Sequence, residues 1–133
     1  MINGSCLCGQ CRYKASGNLF DVMYCHCSNC QKITGSAFAI YGGVSQDDFE
    51  WLCDLSKVRE FHSSQYVCRY FCNSCGSMIS AIDKKEKNTV YLSIGLLDSD
   101  TAIVPEYHQY VSSKAEWYKI IDNLPQYMAE SPV

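Results

Sequence analysis

Residues 72–76 read Cys72-Asn73-Ser74-Cys75-Gly76, and the rest of the chain is best read outward from them. In a CxxCG turn, backbone N–H groups can point at the two sulfurs, while the glycine takes the conformation that closes the turn. Such a knuckle offers two ligands, and a structural zinc takes four in a tetrahedron. Partners are available in Cys6-Leu7-Cys8-Gly9 and Cys25-His26-Cys27-Ser28-Asn29-Cys30. In CxC pairs such as Cys6/Cys8 and Cys25/Cys27 a mutual disulfide would be strained, whereas two thiolates on a tight turn can both face one ion.

Seven cysteines divide naturally as four plus three. Spacing alone permits Cys6/Cys8 with Cys72/Cys75, or Cys27/Cys30 with Cys72/Cys75 in a ribbon-like site. The second partition strands Cys6, Cys8 and Cys25. Grouping Cys25, Cys27 and Cys30 is more economical, because three sulfurs within six residues can converge on one ion and leave its fourth position open, as catalytic zinc sites do. Cys11, Cys53 and Cys68 sit singly in or beside apolar strand patterns and read as core residues, although Cys11 also makes a CxxC with Cys8.

Most of the remaining chain reads as short strands rich in Tyr, Val, Phe and Ile, broken by Gly, Ser, Asn or Asp. The expected strands are Arg12 to Ala15, Phe20 to Tyr24, Phe38 to Tyr41, Phe49 to Leu52, Val58 to His62, Tyr66 to Phe71, Met78 to Ile82 and Val90 to Ser93. Two short helices are expected: one capped by Ser28 and ended by Gly35, the other over Lys114 to Ile121 before Pro125. The expectation is a mainly β, single-domain chain spanning 1–133, a length usual for one domain.

Composition narrows the function classes. With 47% hydrophobic against 19% charged residues, the chain can bury a core. A net charge of -3 gives no basic field to attract a phosphate backbone. The one lysine cluster, Lys84, Lys85 and Lys87, encloses Glu86 and reads as a hairpin tip. Nucleic acid is therefore excluded as an expected partner. No apolar run approaches the roughly 20 residues that span a bilayer, and no charged-then-apolar leader precedes Cys6, so no membrane is expected either. A cytoplasmic, reducing setting follows, and with it ligation in preference to disulfides for ten cysteines.

Four blocks in register also resemble a known family. They are Gly4-Ser5-Cys6-Leu7-Cys8-Gly9 with Tyr13; Cys25-His26-Cys27-Ser28-Asn29-Cys30-Gln31-Lys32 followed by Gly35-Ser36; Arg69-Tyr70-Phe71-Cys72-Asn73-Ser74-Cys75-Gly76-Ser77; and Gly95-Leu96-Leu97-Asp98 with His108, Ser113-Lys114, Trp117 and Asp122-Asn123-Leu124-Pro125. The pattern resembles the glutathione-dependent formaldehyde-activating enzymes, whose animal relative is centromere protein V. That resemblance implies a β-tent, a zinc fold of small, strongly bent antiparallel sheets. It implies two Zn2+ per chain: a structural ion on Cys6, Cys8, Cys72 and Cys75, and a second on Cys25, Cys27 and Cys30. The segment Trp51 to Lys57 departs from the pattern, with Leu52-Cys53-Asp54-Leu55-Ser56 where a glycine turn is expected, so contacts near it are expected to differ.

The implied activity is that of a carbon–sulfur lyase, S-hydroxymethylglutathione synthase-like, joining glutathione to formaldehyde in a detoxifying reaction. Three thiolates leave a zinc ion with a net charge of about -1, a poor activator of water and a good host for a soft thiolate. Cys25, Cys27 and Cys30 are therefore the expected catalytic centre. Glutathione carries two carboxylates and one amine, and Lys32, Arg69 and Lys114 in the matched blocks are candidate cationic contacts. His26, between two ligands, should face away from the metal as a supporting or packing residue. For His108 and Trp117 core packing is expected, and Tyr24, Tyr41 and Tyr91 belong to too common a residue type to single out. Two other functions fit: a non-catalytic thiol carrier, or a zinc-structured protein-interaction module. The last requires a fourth ligand at the trio, from Cys11, His26 or Cys68.

Overall fold

The computed structural model describes residues 1–99 and 102–131. Ten short strands run through them: β1 Ile2–Ser5, β2 Arg12–Ala15, β3 Phe20–Cys25, β4 Ala39–Ser45, β5 Phe49–Trp51, β6 Val58–His62, β7 Val67–Cys72, β8 Met78–Asp83, β9 Thr89–Ser93 and β10 Tyr107–Gln109. They build two open sheets, a small one in the order β1-β2-β5 and a large one in the order β10-β3-β4-β9-β8-β7-β6. The fold is mainly β, as expected. Every pairing is antiparallel except β10 on β3, which is parallel.

All eight expected strands form, most within a residue or two of their expected ends. The largest difference is β4, which continues through Gly42 and Gly43 to Ser45 where a break was expected after Tyr41. Both glycines lie beneath neighbouring side chains: a Cβ at Gly42 would come within 2.9 Å of Ile94 Cδ1, and one at Gly43 within 2.7 Å of Phe20 Cε2. Here glycine serves close approach within a strand, not a turn.

The helix α1, Ser28–Thr34, also forms. Its cap is Cys27, one residue before the expected Ser28, and the Cys27 sulfur accepts from Cys30 N–H at 3.2 Å. Gly35, with φ of 65°, closes the other end. The helix expected over Lys114 to Ile121 does not form, and this segment is irregular with one turn. Trp117 and Ile121, one helical turn apart, are 76% and 86% exposed, and the Ala115 and Tyr118 carbonyls, which a helix would engage itself, accept from Lys114 Nζ. The core packing expected for Trp117 is likewise overturned.

The large sheet has two working faces. On one, Val44, Ile79, Val90 and Leu92 pack against Ile2, Tyr13 and Ala15 of the small sheet, all at 5% exposure or less. Cys11 is fully buried in this core, with Cys53 packed at its edge. The other face carries Met23 and Cys25 from β3, Tyr41 from β4, Tyr91 from β9, Ala81 from β8 and Arg69 from β7, all lining one cavity.

Candidate metal centres and substrate pocket

The first sulfur cluster forms where β1 and β7 end. Cys6 follows β1, Cys72 ends β7, and the turns beyond them bring in Cys8 and Cys75. Cys6 Sγ lies 3.6 Å from Cys8 Sγ, and Cys8 Sγ lies 3.7 Å from Cys72 Sγ. Four sulfurs at ~2.3 Å from one zinc ion would be about 3.8 Å apart, so the set fits a tetrahedral ion. Backbone N–H groups of Cys11, Ser74 and Cys75 point at the sulfurs of Cys6 and Cys72, at 3.3 to 3.5 Å. Gly9 and Gly76, with φ of 81° and 77°, allow the two turns to close. The Ser77 hydroxyl and N–H, with the backbone at Cys8, push the Cys75 thiol down to about 5, toward the thiolate a metal requires.

The segment Trp51 to Lys57 lies beside this cluster. The Cys11 thiol donates to Lys57 O at 3.4 Å, and Asn73 N–H donates to the same carbonyl at 2.9 Å. None of its residues lines the cavity described below.

The second cluster occupies the other face of the large sheet. Cys25 ends β3, Cys27 caps α1 and Cys30 lies in its first turn, so a strand end and a helix start bring three sulfurs together. Cys25 and Cys30 sulfurs are 3.4 Å apart. Met23, Ala39, Tyr41 and Tyr107 form an apolar shell around them. Hydrogen bonds from Cys25 and Cys30 push the Cys27 thiol strongly down, helped by Cys30 N–H and the Arg69 charge. The same sharing with Cys27 and Cys30, together with burial, pushes Cys25 up. Both clusters could hold a metal ion. Among the described residues no fourth His, Cys, Asp or Glu joins the trio.

The three candidates for a fourth ligand lie elsewhere. Cys11 belongs to the first cluster's surroundings, and Cys68 points to the opposite face of the sheet. His26 turns away into a fully buried position, as expected. Its Nε2 lies 2.8 Å from His108 Nδ1, and His108 Nε2 lies 3.0 Å from an Asp122 oxygen at the surface. Burial pushes the His26 imidazole down to about 4, with the His108 and Lys114 charges adding to it. The ring of His108 stacks on Tyr24 at 4.5 Å. This chain of side chains pins the loop between Cys25 and Cys27 from behind.

The trio opens into a cavity of about 440 Å³. Of the three expected cationic contacts, Arg69 alone lines it. Arg69 is 4% exposed, and its Nη1 donates to Tyr41 Oη at 2.8 Å, Nε to Ser63 Oγ at 2.9 Å and Nη2 to Cys30 Sγ at 3.8 Å. Lys32 is exposed on α1, away from the cavity. Lys114 is also outside it, its Nζ donating to Ala115 O and Tyr118 O.

Lys85, Asp21 and Tyr41 are among the lining residues that the sequence does not single out. Lys85 belongs to the tip between β8 and β9, which folds back so that Lys85 reaches Glu130 at 3.7 Å. Asp21, at a bulge in β3 with φ of 57°, accepts from the hydroxyls of Tyr107 and Tyr91. Tyr41 is one tyrosine among ten, so its residue type alone does not mark it. Only a positive-φ residue inside an apolar strand could have marked Asp21, and sequence does not reveal φ.

A family model described as glutathione-dependent formaldehyde-activating enzyme matches residues 1–113. The chain belongs to this family. Two curated members, each named "Putative glutathione-dependent formaldehyde-activating enzyme", are similar to it. The one from Colletotrichum graminicola is 27% identical over 86% of this chain, and the one from Penicillium rubens 28% identical over 84%. The chain spans 64% and 61% of the length of these relatives. A crystal structure of a Rhodobacter sphaeroides protein shares the fold with a TM-score of 0.64 at 16% identity, covering 75% of this chain and 91% of that one. The first 113 residues contain both sulfur clusters, so the family match covers every expected ligand.

Proposed function

We propose that this chain is a zinc-dependent, S-hydroxymethylglutathione synthase-like enzyme of the carbon–sulfur lyase type. It joins glutathione or a related thiol to formaldehyde or a similar small electrophile. The observation that carries the reading is the incomplete trio: Cys25, Cys27 and Cys30 converge at a cavity with no fourth protein ligand among the described residues. Three soft sulfurs in an apolar shell suit zinc, and a zinc ion held by them supplies a soft, open position that favours a substrate thiol as thiolate. Cys6, Cys8, Cys72 and Cys75 hold a second, structural zinc. The family name supports glutathione and formaldehyde as the substrates, and a reducing cytoplasmic setting suits both clusters.

The chain's own residues bind and orient. Arg69 and Lys85 face carboxylates, while Asp21 and Glu130 on the same walls face an ammonium, which matches a zwitterionic thiol. Arg69 donates to Tyr41 Oη, leaving the Tyr41 proton free to point at the carbonyl oxygen of the electrophile. As the C–S bond forms, the carbonyl π pair moves to oxygen, and the proton lost by the thiol ends there as the new hydroxyl. Positioning of the two reactants supplies much of the acceleration.

The test is metal content per chain, with and without glutathione, for the wild type and Cys27→Ser, together with the adduct-forming rate. One zinc ion fewer per chain in Cys27→Ser, with thiol binding and rate enhancement lost and folding kept, is the expected result. Glutathione binding with no rate above the uncatalysed addition would make the protein a carrier. Unchanged zinc and thiol binding in Cys27→Ser would reject the site.

A further inference from the structure

A third set of metal-ligating side chains lies outside both clusters, on the face of the large sheet turned away from the cavity. Glu60 and His62 are two residues apart on β6, an edge strand, and so share a face. Cys68 on β7 is directly opposite His62, and Tyr70 is directly opposite Glu60. Opposed residues of an antiparallel pair share a face, so the strand register alone brings the three donors together.

The donor distances are close to those a metal would impose. Glu60 offers one oxygen to each partner: Oε2 lies 3.8 Å from Cys68 Sγ, and Oε1 lies 3.9 Å from His62 Nε2. All three donor atoms fall within 4.8 Å of one another. Around a tetrahedral zinc ion, with bonds of about 2.3 Å to sulfur and about 2.0 Å to nitrogen or oxygen, neighbouring donors are about 3.3 to 3.5 Å apart. The two contacts use different Glu60 oxygens, so closing all three donors on one ion takes movements of up to about 1.5 Å, within the rotamer reach of the exposed Glu60 and His62 side chains. Cys68 is anchored, at 7% exposure, and its fixed sulfur gives the flexible pair a point to close on.

The geometry points to a third metal site here, made by Glu60, His62 and Cys68. It would take a borderline-soft divalent ion such as zinc, bound by one sulfur, one nitrogen and one oxygen with a solvent position left over. One thiolate and two exposed ligands make it weaker and more exchangeable than a buried four-sulfur cluster. Its position gives it a consequence for the cavity. Cys68 is the chain neighbour of Arg69, which points to the other face, and Ser63, next to His62, is the residue that accepts from Arg69 Nε. An ion joining His62 to Cys68 therefore clasps the hairpin that carries Arg69 into the pocket.

The experiment is equilibrium dialysis of the full chain against zinc, with metal analysis of the wild type, Cys68→Ser and the double variant Glu60→Gln/His62→Gln. The wild type should bind one more equivalent than either variant at the same free zinc, whatever the count at the other clusters. Zinc should also slow iodoacetamide modification of Cys68 in the wild type and not in the double variant, whose changes lie on exposed side chains and spare the fold. Equal zinc counts, or alkylation of Cys68 indifferent to zinc, would overturn the site. The difference should persist when Cys27→Ser is added to each protein, so the outcome is independent of whether the trio acts as proposed.

Discussion

Arg69 reaches Cys30 from the far strand of the cavity, placing Nη2 3.8 Å from the sulfur while Nη1 holds the Tyr41 hydroxyl. A buried guanidinium needs partners for its charge, and one of its partners is a proposed metal ligand. Removing it strips a charge-assisted contact worth about 1.5–3 kcal/mol, or roughly one to two powers of ten in affinity. Arg69→Met should therefore weaken glutathione binding by about tenfold or more in titration calorimetry. Arg69→Lys should recover only part of the loss, since an ammonium cannot fork between Tyr41 and Cys30. Wild-type affinity in Arg69→Met would remove Arg69 from the binding site.

The two sulfur clusters should fail differently. Cys72 is 1% exposed and joins the end of β7 to the turn after β1. Metal-binding free energy at a structural site is folding free energy, on the order of 10 kcal/mol for small zinc domains. Cys72→Ser should abolish the cooperative thermal transition seen by circular dichroism. Cys27→Ser should retain it.

Tyr13 offers a test of the core. Its ring is 1% exposed between Phe49 and Trp51, and its hydroxyl has no hydrogen-bond partner among the described residues. A buried unsatisfied hydroxyl costs about 1–3 kcal/mol. Tyr13→Phe keeps the ring and removes that cost, so it should leave the midpoint of urea unfolding unchanged or raise it. A fall of the midpoint would mean that the hydroxyl has a partner in solution.

Alkaline pH should destabilise the cavity wall. Burial, then the Asp21 carboxylate, holds the Tyr91 and Tyr107 hydroxyls well above the ordinary tyrosine value of 10. With the folded value raised, the stabilisation is complete below pH 10, where both states keep the proton. It is lost as pH rises further, because only the unfolded chain ionises there. Denaturant unfolding should thus show stability falling above pH 10. The fall should be smaller in Asp21→Asn, which leaves burial in place and removes the charge; an equal fall would exclude Asp21 as a cause.

The strands are legible where alternation meets β-branched or aromatic residues, as in Val58–His62, which forms over its expected bounds. Ile2–Ser5 and Tyr107–Gln109 escaped because INGS and YHQ carry little apolar signal, and β10 pairs in parallel with a strand some 80 residues away. The four-plus-three division of the cysteines followed from spacing and resemblance, and the structure brings the same two groups together. The cavity was less readable. Arg69 lay in a motif, whereas Lys85 sat in a charge run that looked like an ordinary hairpin tip. Lys114 was drawn into backbone carbonyls by a turn that no propensity signalled.

One wall of the cavity is made by a stretch that owns no cysteine. Tyr107, Gln109 and Tyr110 line it together with Glu130 and Ser131, and residues 125–129 run alongside β10 through bonds to His108, Tyr110, Val111 and Ser112. Its last part falls beyond the 113 residues matched by the family model. The far end of the panel and the two sulfur clusters thus belong to different parts of the chain. Changes confined to that end would reshape one wall of the cavity while leaving both sets of sulfurs in place.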